Sequence, residues 1–139
     1  MNSRWEFRVM LGLIVMTFAG CGETVFPVKG KVSVNGKALT AGAVTFWPDE
    51  SKGNKSIIEA RGTIGEDGTY ELFSRERKGE LPGAYKVTIT SQGPPPDSTK
   101  VDKKPTQLVP AVFTARETTT LTREVVANPA AGAYDLDVK

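Results

Sequence analysis

The stretch Val28-Lys29-Gly30-Lys31-Val32-Ser33-Val34-Asn35-Gly36-Lys37-Ala38-Leu39 decides the fold class. Val28, Gly30, Val32 and Val34 alternate with Lys29, Lys31 and Ser33, the period of two that sends successive side chains to opposite faces of a strand. Asn35-Gly36 interrupts the pattern and Lys37-Ala38-Leu39 resumes it. Both central residues of a type I′ turn need positive φ, so Asn-Gly between two such runs predicts a tight β-hairpin.

The same grammar continues downstream. Ala43-Val44-Thr45-Phe46-Trp47 reads as a strand stopped by Pro48, and residues Asp49 to Ser56 as a polar loop. Ile57 to Ile64 reads as a third strand, weakened by Gly62. Gly65-Glu66-Asp67-Gly68 makes a turn into Thr69-Tyr70-Glu71-Leu72-Phe73, after which Ser74 to Pro82 has no regular pattern. Gly83 opens the clearest strand, with Tyr85, Val87 and Ile89 on one face and Lys86, Thr88 and Thr90 on the other. Gln92 to Pro110, with Pro94-Pro95-Pro96, Pro105 and Pro110, is expected to be extended and mobile. Leu121 to Ala127 and Tyr134 to Lys139 complete the set. The chain is therefore expected to be all-β, an antiparallel β-sandwich of about seven strands over residues 26–139.

Ahead of this domain the pattern changes. Arg4 and Arg8 precede the apolar run Val9-Met10-Leu11-Gly12-Leu13-Ile14-Val15-Met16, followed by Thr17-Phe18-Ala19-Gly20-Cys21. A positive head, a short apolar middle and small residues before a processing point form the layout of a secretory signal peptide. The run is too short for a bilayer span, which takes roughly 20 apolar residues. A cysteine at the processing point resembles the lipobox of bacterial lipoproteins, although Phe18 stands where an aliphatic residue is usual. The resemblance implies a signal-peptide helix over residues 1–20, a lipid on Cys21 and a short tether over residues 21–25. It also implies export to the cell envelope, with the membrane as a partner through that lipid. Gly22 is not the aspartate that resembles an inner-membrane retention signal, which points to the outer membrane, facing the periplasm or the surface.

Composition excludes several kinds of chemistry. Cys21 is the only cysteine, so no internal disulfide is available. Histidine is absent, which removes the commonest general base and metal ligand. With Cys21 committed to lipid, neither a Ser-His-Asp nor a Cys-His system can be assembled. Setting aside residues 1–20, with Arg4, Arg8 and Glu6, reduces the 18 basic and 16 acidic residues to 16 and 15. A net charge that small argues against nucleic-acid binding, and the basic clusters at Arg75-Glu76-Arg77-Lys78 and Lys100 to Lys104 are interrupted by acids.

Four pieces of Val28 to Thr90 carry a further resemblance. They are the opening hairpin Val28 to Leu39, the strand Ala41-Gly42-Ala43-Val44-Thr45-Phe46, the turn Gly65-Glu66-Asp67-Gly68-Thr69-Tyr70, and the strand Pro82-Gly83-Ala84-Tyr85-Lys86-Val87-Thr88-Ile89. In that order they resemble the carboxypeptidase regulatory-like domain, a transthyretin-like (Ig-like) β-sandwich. Ala38 stands where that pattern has proline and Gly65 where it has its first aspartate. The family is mostly noncatalytic, and the resemblance implies a structural or binding module that needs no cofactor. An exported carbohydrate- or peptide-binding accessory is the alternative, with an envelope protein or a glycan as partner.

Few residues qualify as sites. Trp47 and Tyr70, if outward, are candidates for stacking on sugars; facing inward, they would edge the core. Glu66-Asp67-Gly68 lacks the further acids at the spacing of a calcium loop, so it reads as a turn and no metal site is expected. Pro94-Pro95-Pro96 is either a ligand for an aromatic groove or a surface loop.

Overall fold

A computed structural model describes residues 22–93 and 106–139. The expected signal-peptide helix, Cys21 and the triple proline lie outside the described residues. Among the described residues no helix is long and apolar enough to cross a membrane.

The chain forms two sheets packed as a sandwich. The smaller is built on β1 (Lys29–Val34), which turns through Asn35 (φ 51°) and Gly36 (φ 76°) into β2 (Lys37–Ala38). Both turn residues have the left-handed conformation that the Asn-Gly pair predicted. β5 (Thr69–Glu71) pairs antiparallel with Lys29 to Lys31, and β10 (Leu136–Val138) pairs with Val32 to Val34. The β10 pairing is parallel, so the sandwich departs there from the all-antiparallel expectation.

The larger sheet has six strands among the described residues. Its centre is β3 (Ala43–Pro48) between β4 (Ala60–Thr63) and β8 (Gly83–Thr90). β6 (Phe73–Ser74) and β7 (Arg77–Lys78) extend one edge, and β9 (Thr122–Val125) the other. Among the described residues ten strands thus replace the expected seven, three of them only two residues long.

The expected strand Thr69 to Phe73 in fact serves both sheets. β5 belongs to the smaller and β6 to the larger, and the chain crosses between them at the buried Leu72. Leu72 N–H donates to the Val28 carbonyl at 2.9 Å and its own carbonyl accepts from Gly79 N–H at 2.8 Å. The crossing brings the Glu71 carbonyl onto β4, where a Cβ on Gly62 would stand 2.5 Å from that oxygen. Gly62 is therefore the residue that permits the crossing rather than a weakness in its strand.

Strand β4 also starts later than Ile57. Asn54 Oδ1 accepts from Ser56 N–H at 3.1 Å, and Ser56 Oγ accepts from Ile58 N–H at 3.2 Å. These local side-chain bonds capture donors that a strand would need for its ladder. Past Ser74, Arg75 takes φ 56° and lets the chain reverse into β7, in a segment whose sequence showed no strand pattern.

The Pro-rich stretch is anchored at both ends. Gly93 N–H donates to the Thr106 carbonyl at 2.8 Å and Leu108 N–H to the Ser91 carbonyl at 3.1 Å. Val109 behind this neck is buried. The expectation of an extended, mobile stretch thus does not hold for residues 92–93 and 106–109, which pair with each other beside the buried Val109.

The core lies between the sheets, centred on Phe46, Leu72, Tyr85, Val87, Ile89 and Leu136. The Phe46 ring sits 5.9 Å from that of Tyr85 and 6.5 Å, edge-on, from that of Tyr134. As the alternation in β8 requires, Tyr85, Val87 and Ile89 are fully buried. Thr88, expected on the wet face, is buried as well because the Trp47 indole covers it, donating Nε1–H to Thr88 Oγ1 at 3.0 Å.

Candidate functional site: the outer face of the larger sheet

Strand parity places the site. Val44 and Phe46 of β3 point into the core, so Thr45 and Trp47 point away from it. The antiparallel register sets Thr45 beside Arg61 of β4, and Arg61 beside Phe73 of β6. Trp47 stands opposite Lys86 of β8. Of these, Thr45, Trp47, Arg61 and Phe73 line an open groove of about 730 Å³ on the outer face of the larger sheet, together with Glu59 and Arg75.

The groove has two aromatic walls. The bond to Thr88 fixes the plane of the half-buried Trp47 ring, and the Arg116 guanidinium lies 5.9 Å from its centre. Phe73, which is 40% exposed, carries the Lys78 ammonium at 5.8 Å. Both cation distances fall within reach of the ring quadrupole. Between the walls lie the Thr45 and Thr63 hydroxyls, with Arg61, Arg75, Glu59 and Glu71 as donors and acceptors. Glu71 pairs with Lys29 at 3.3 Å and Lys78 at 3.7 Å. Flat apolar faces flanked by polar groups of both signs suit a ligand with ring faces and many hydroxyls or amides.

The structure separates the two aromatic residues singled out from the sequence. Trp47 is on the outer face and lines the groove. Tyr70 is only 3% exposed, and its hydroxyl donates to the Tyr134 carbonyl at 2.5 Å. Burial raises its phenol well beyond the ordinary range. Tyr70 is a core residue, not a stacking platform, because Thr69 and Glu71 take the outward positions of β5. The sequence reading missed Phe73 and Arg61. Their positions follow only from the β4–β6 register, which depends on the crossing at Leu72.

Asp67 acts as the turn-former expected of it. Its Oδ1 accepts from Thr69 N–H at 3.0 Å and Thr69 Oγ1–H at 2.6 Å, while Gly68 takes φ 81°. The Thr69 hydroxyl, with the amide beside it, holds the Asp67 carboxyl below the usual carboxylate range. Among the described residues no three His, Cys, Asp or Glu side chains converge on a common point.

One buried polar group lies apart from the groove. Glu80 is fully buried, accepting from Ser74 Oγ–H at 2.7 Å and from Leu81 N–H at 2.8 Å. Burial raises its carboxyl, partly offset by the Leu81 amide and the Ser74 hydroxyl. The Ser74–Glu80 pair has the look of an activated hydroxyl, but both members are sealed from solvent and no substrate can reach them.

Compared with protein-family models, with curated proteins and with solved structures, the chain matches none of them.

Proposed function

We propose that this chain is a nonenzymatic, lipid-anchored module of the bacterial cell envelope, held by a lipid on Cys21 and binding through the outer face of its larger sheet. The observation that carries the binding part is Trp47, fixed outward at the wall of a groove that offers arginines, glutamates and hydroxyls. Support for the family reading comes from the order of the four motif pieces. They fall on β1–β2, on β3, on the turn before β5, and on β8. The lipobox resemblance supports export and anchoring.

The anchor is tested by Cys21→Ser and by globomycin. The parent protein is expected to partition into detergent and the variant into the aqueous phase, with globomycin blocking maturation of the parent. An aqueous parent, or a variant that still partitions with detergent, would end the lipid assignment.

The alternative, a carbohydrate- or peptide-binding accessory, is favoured by the same groove. Stacking of a ring on an aromatic wall is worth about 1–3 kcal/mol, by analogy with bases on aromatic side chains. Trp47→Ala is thus expected to weaken glycan binding by roughly 5–150-fold on an array. A parent that binds no glycan removes the carbohydrate reading and leaves peptide or protein ligands.

A further inference from the structure

The end of the sandwich nearest the anchor carries its own surface. The described chain begins at Gly22, next to Cys21, and is fixed almost at once. Arg77 Nη1 donates to the Glu23 carbonyl at 2.9 Å. Phe26 N–H donates to the Glu80 carbonyl at 2.8 Å, and Glu80 N–H to the Phe26 carbonyl at 3.0 Å. Residues 23–26 are therefore strapped to the β7 edge rather than hanging as a loose linker. Two residues of extended chain span at most about 7 Å. A lipid on Cys21 would thus hold this end of the domain at headgroup level.

The surface presented there is more apolar than polar. Thr24, Phe26, Ile57, Ile58, Leu81 and Pro82 line a groove of about 650 Å³. Ile57 is 90% exposed, the most exposed large apolar side chain among the described residues. Burying such a side chain is favourable by about 25 cal/mol per Å² removed from water. Glu23, Asn54, Lys55 and Ser56 also border the groove, and Glu23 and Lys55 offset each other in charge.

Resting on the lipid-anchor reading above, we propose that this groove is a membrane-docking face, and that Ile57 seats in the interface of the bilayer that holds Cys21. The strap and the docked face together set the orientation of the domain. The groove around Trp47 adjoins this end, since Ile57 and Ile58 border both grooves. Ligand would be taken up close to the membrane surface.

The test uses the full, acylated protein in vesicles of phosphatidylethanolamine and phosphatidylglycerol doped with headgroup-nitroxide lipid. Acylation of the only native cysteine leaves an introduced thiol as the single labelling site. Ile57→Cys is compared with Lys37→Cys, which is exposed beyond the far end of β1 and so about 20 Å away along that strand. Both positions are exposed, so neither change disturbs packing. A fluorophore at 57 is expected to be quenched several-fold more than one at 37, with or without phosphatidylglycerol. Equal quenching on a chain whose mass shows the acyl groups overturns the docking face and leaves the anchor standing. A chain without acyl mass overturns the anchor, and the docking face with it. A label at 57 that is shielded from water but unquenched places a second copy or another protein in the groove, which also overturns the proposal.

Discussion

Phe46→Ala is expected to cost about 3–5 kcal/mol of folding stability, the largest loss from any single truncation considered. Phe46 is fully buried at the middle of β3. Its ring meets Tyr85 from the same sheet and Tyr134 from the turn before β10, so it fills space that both sheets share. The neighbouring rings are held from collapsing into the void, because Tyr85 Oη–H is bonded to the Leu81 carbonyl at 2.8 Å and Tyr134 Oη accepts from Val126 N–H at 3.3 Å. A domain of this size has about 5–15 kcal/mol in total, so the variant would lose roughly a fifth or more of it. Thermal unfolding should show a midpoint more than about 10 °C lower. Ile57→Ala, on the exposed rim, should stay within about 0.5 kcal/mol of the parent. A Phe46→Ala loss below about 1 kcal/mol would show that the core repacks and that the two sheets are not coupled through this ring.

Glu80 gives the second large effect, and its direction depends on pH. Ser74 has one hydroxyl proton but faces two acceptors, the Gly79 carbonyl at 2.9 Å and Glu80 Oε2 at 2.7 Å. Protonating Glu80 would relieve this competition, since its O–H could then donate to Ser74 Oγ and leave the Ser74 proton to Gly79. A carboxyl raised in the folded state binds more protons there than in the unfolded chain, so stability falls as pH rises from about 4.5 toward the folded value. Glu80→Gln keeps an acceptor for Leu81 N–H and removes the charge. It should flatten that decline and match or exceed the parent at neutral pH. Glu80→Ala strands the Leu81 amide and opens a void, at a cost of about 1–3 kcal/mol. The measurement is the thermal midpoint against pH for all three proteins. Parallel profiles for the parent and Glu80→Gln would show that Glu80 is not the group that titrates.

How much was legible in the sequence varied with how local the cause was. The Asn35-Gly36 hairpin and the core face of β8, Tyr85, Val87 and Ile89, are set by neighbouring residues and appear as read, whereas Thr88 on the other face is covered by Trp47 from a different strand. Pro48 closes β3 as read, for want of an N–H. Where a distant segment decides, the reading failed. Leu72 looks like the middle of one strand, yet it is the crossing between sheets, because Val28 and Gly79 compete for its backbone. The β7 hairpin depends on Arg75 adopting positive φ, which no residue preference announces.

The site was half legible for the same reason. Trp47 was visible as an aromatic at a strand end. Tyr70 had an equal claim by residue type and lost it by parity, since Thr69 and Glu71 are the outward residues of its strand. Phe73 and Arg61 join Trp47 only through the register of three strands, so no local pattern marks them. Ile57 was read as part of a strand, and the side-chain bonds of Asn54 and Ser56 instead leave it on the rim.

The parallel pairing of β10 with β1 bears on the order in which the molecule assembles. Ser33 Oγ–H bonds Asp137 Oδ1 at 2.8 Å across 104 residues of chain, and Lys31 N–H bonds Asp135 Oδ1 over the same separation. Closing a loop that long costs entropy before any contact offsets it. The hairpin of β1 and β2 can form within microseconds, whereas the other edge of β1 waits for its partner. Until then Val32 and Val34 present an unpaired strand edge, the kind of surface on which other chains template. If the chain is exported as proposed above, that delay would keep it threadable. It also makes the uncovered β1 edge the place where a holding chaperone would matter most.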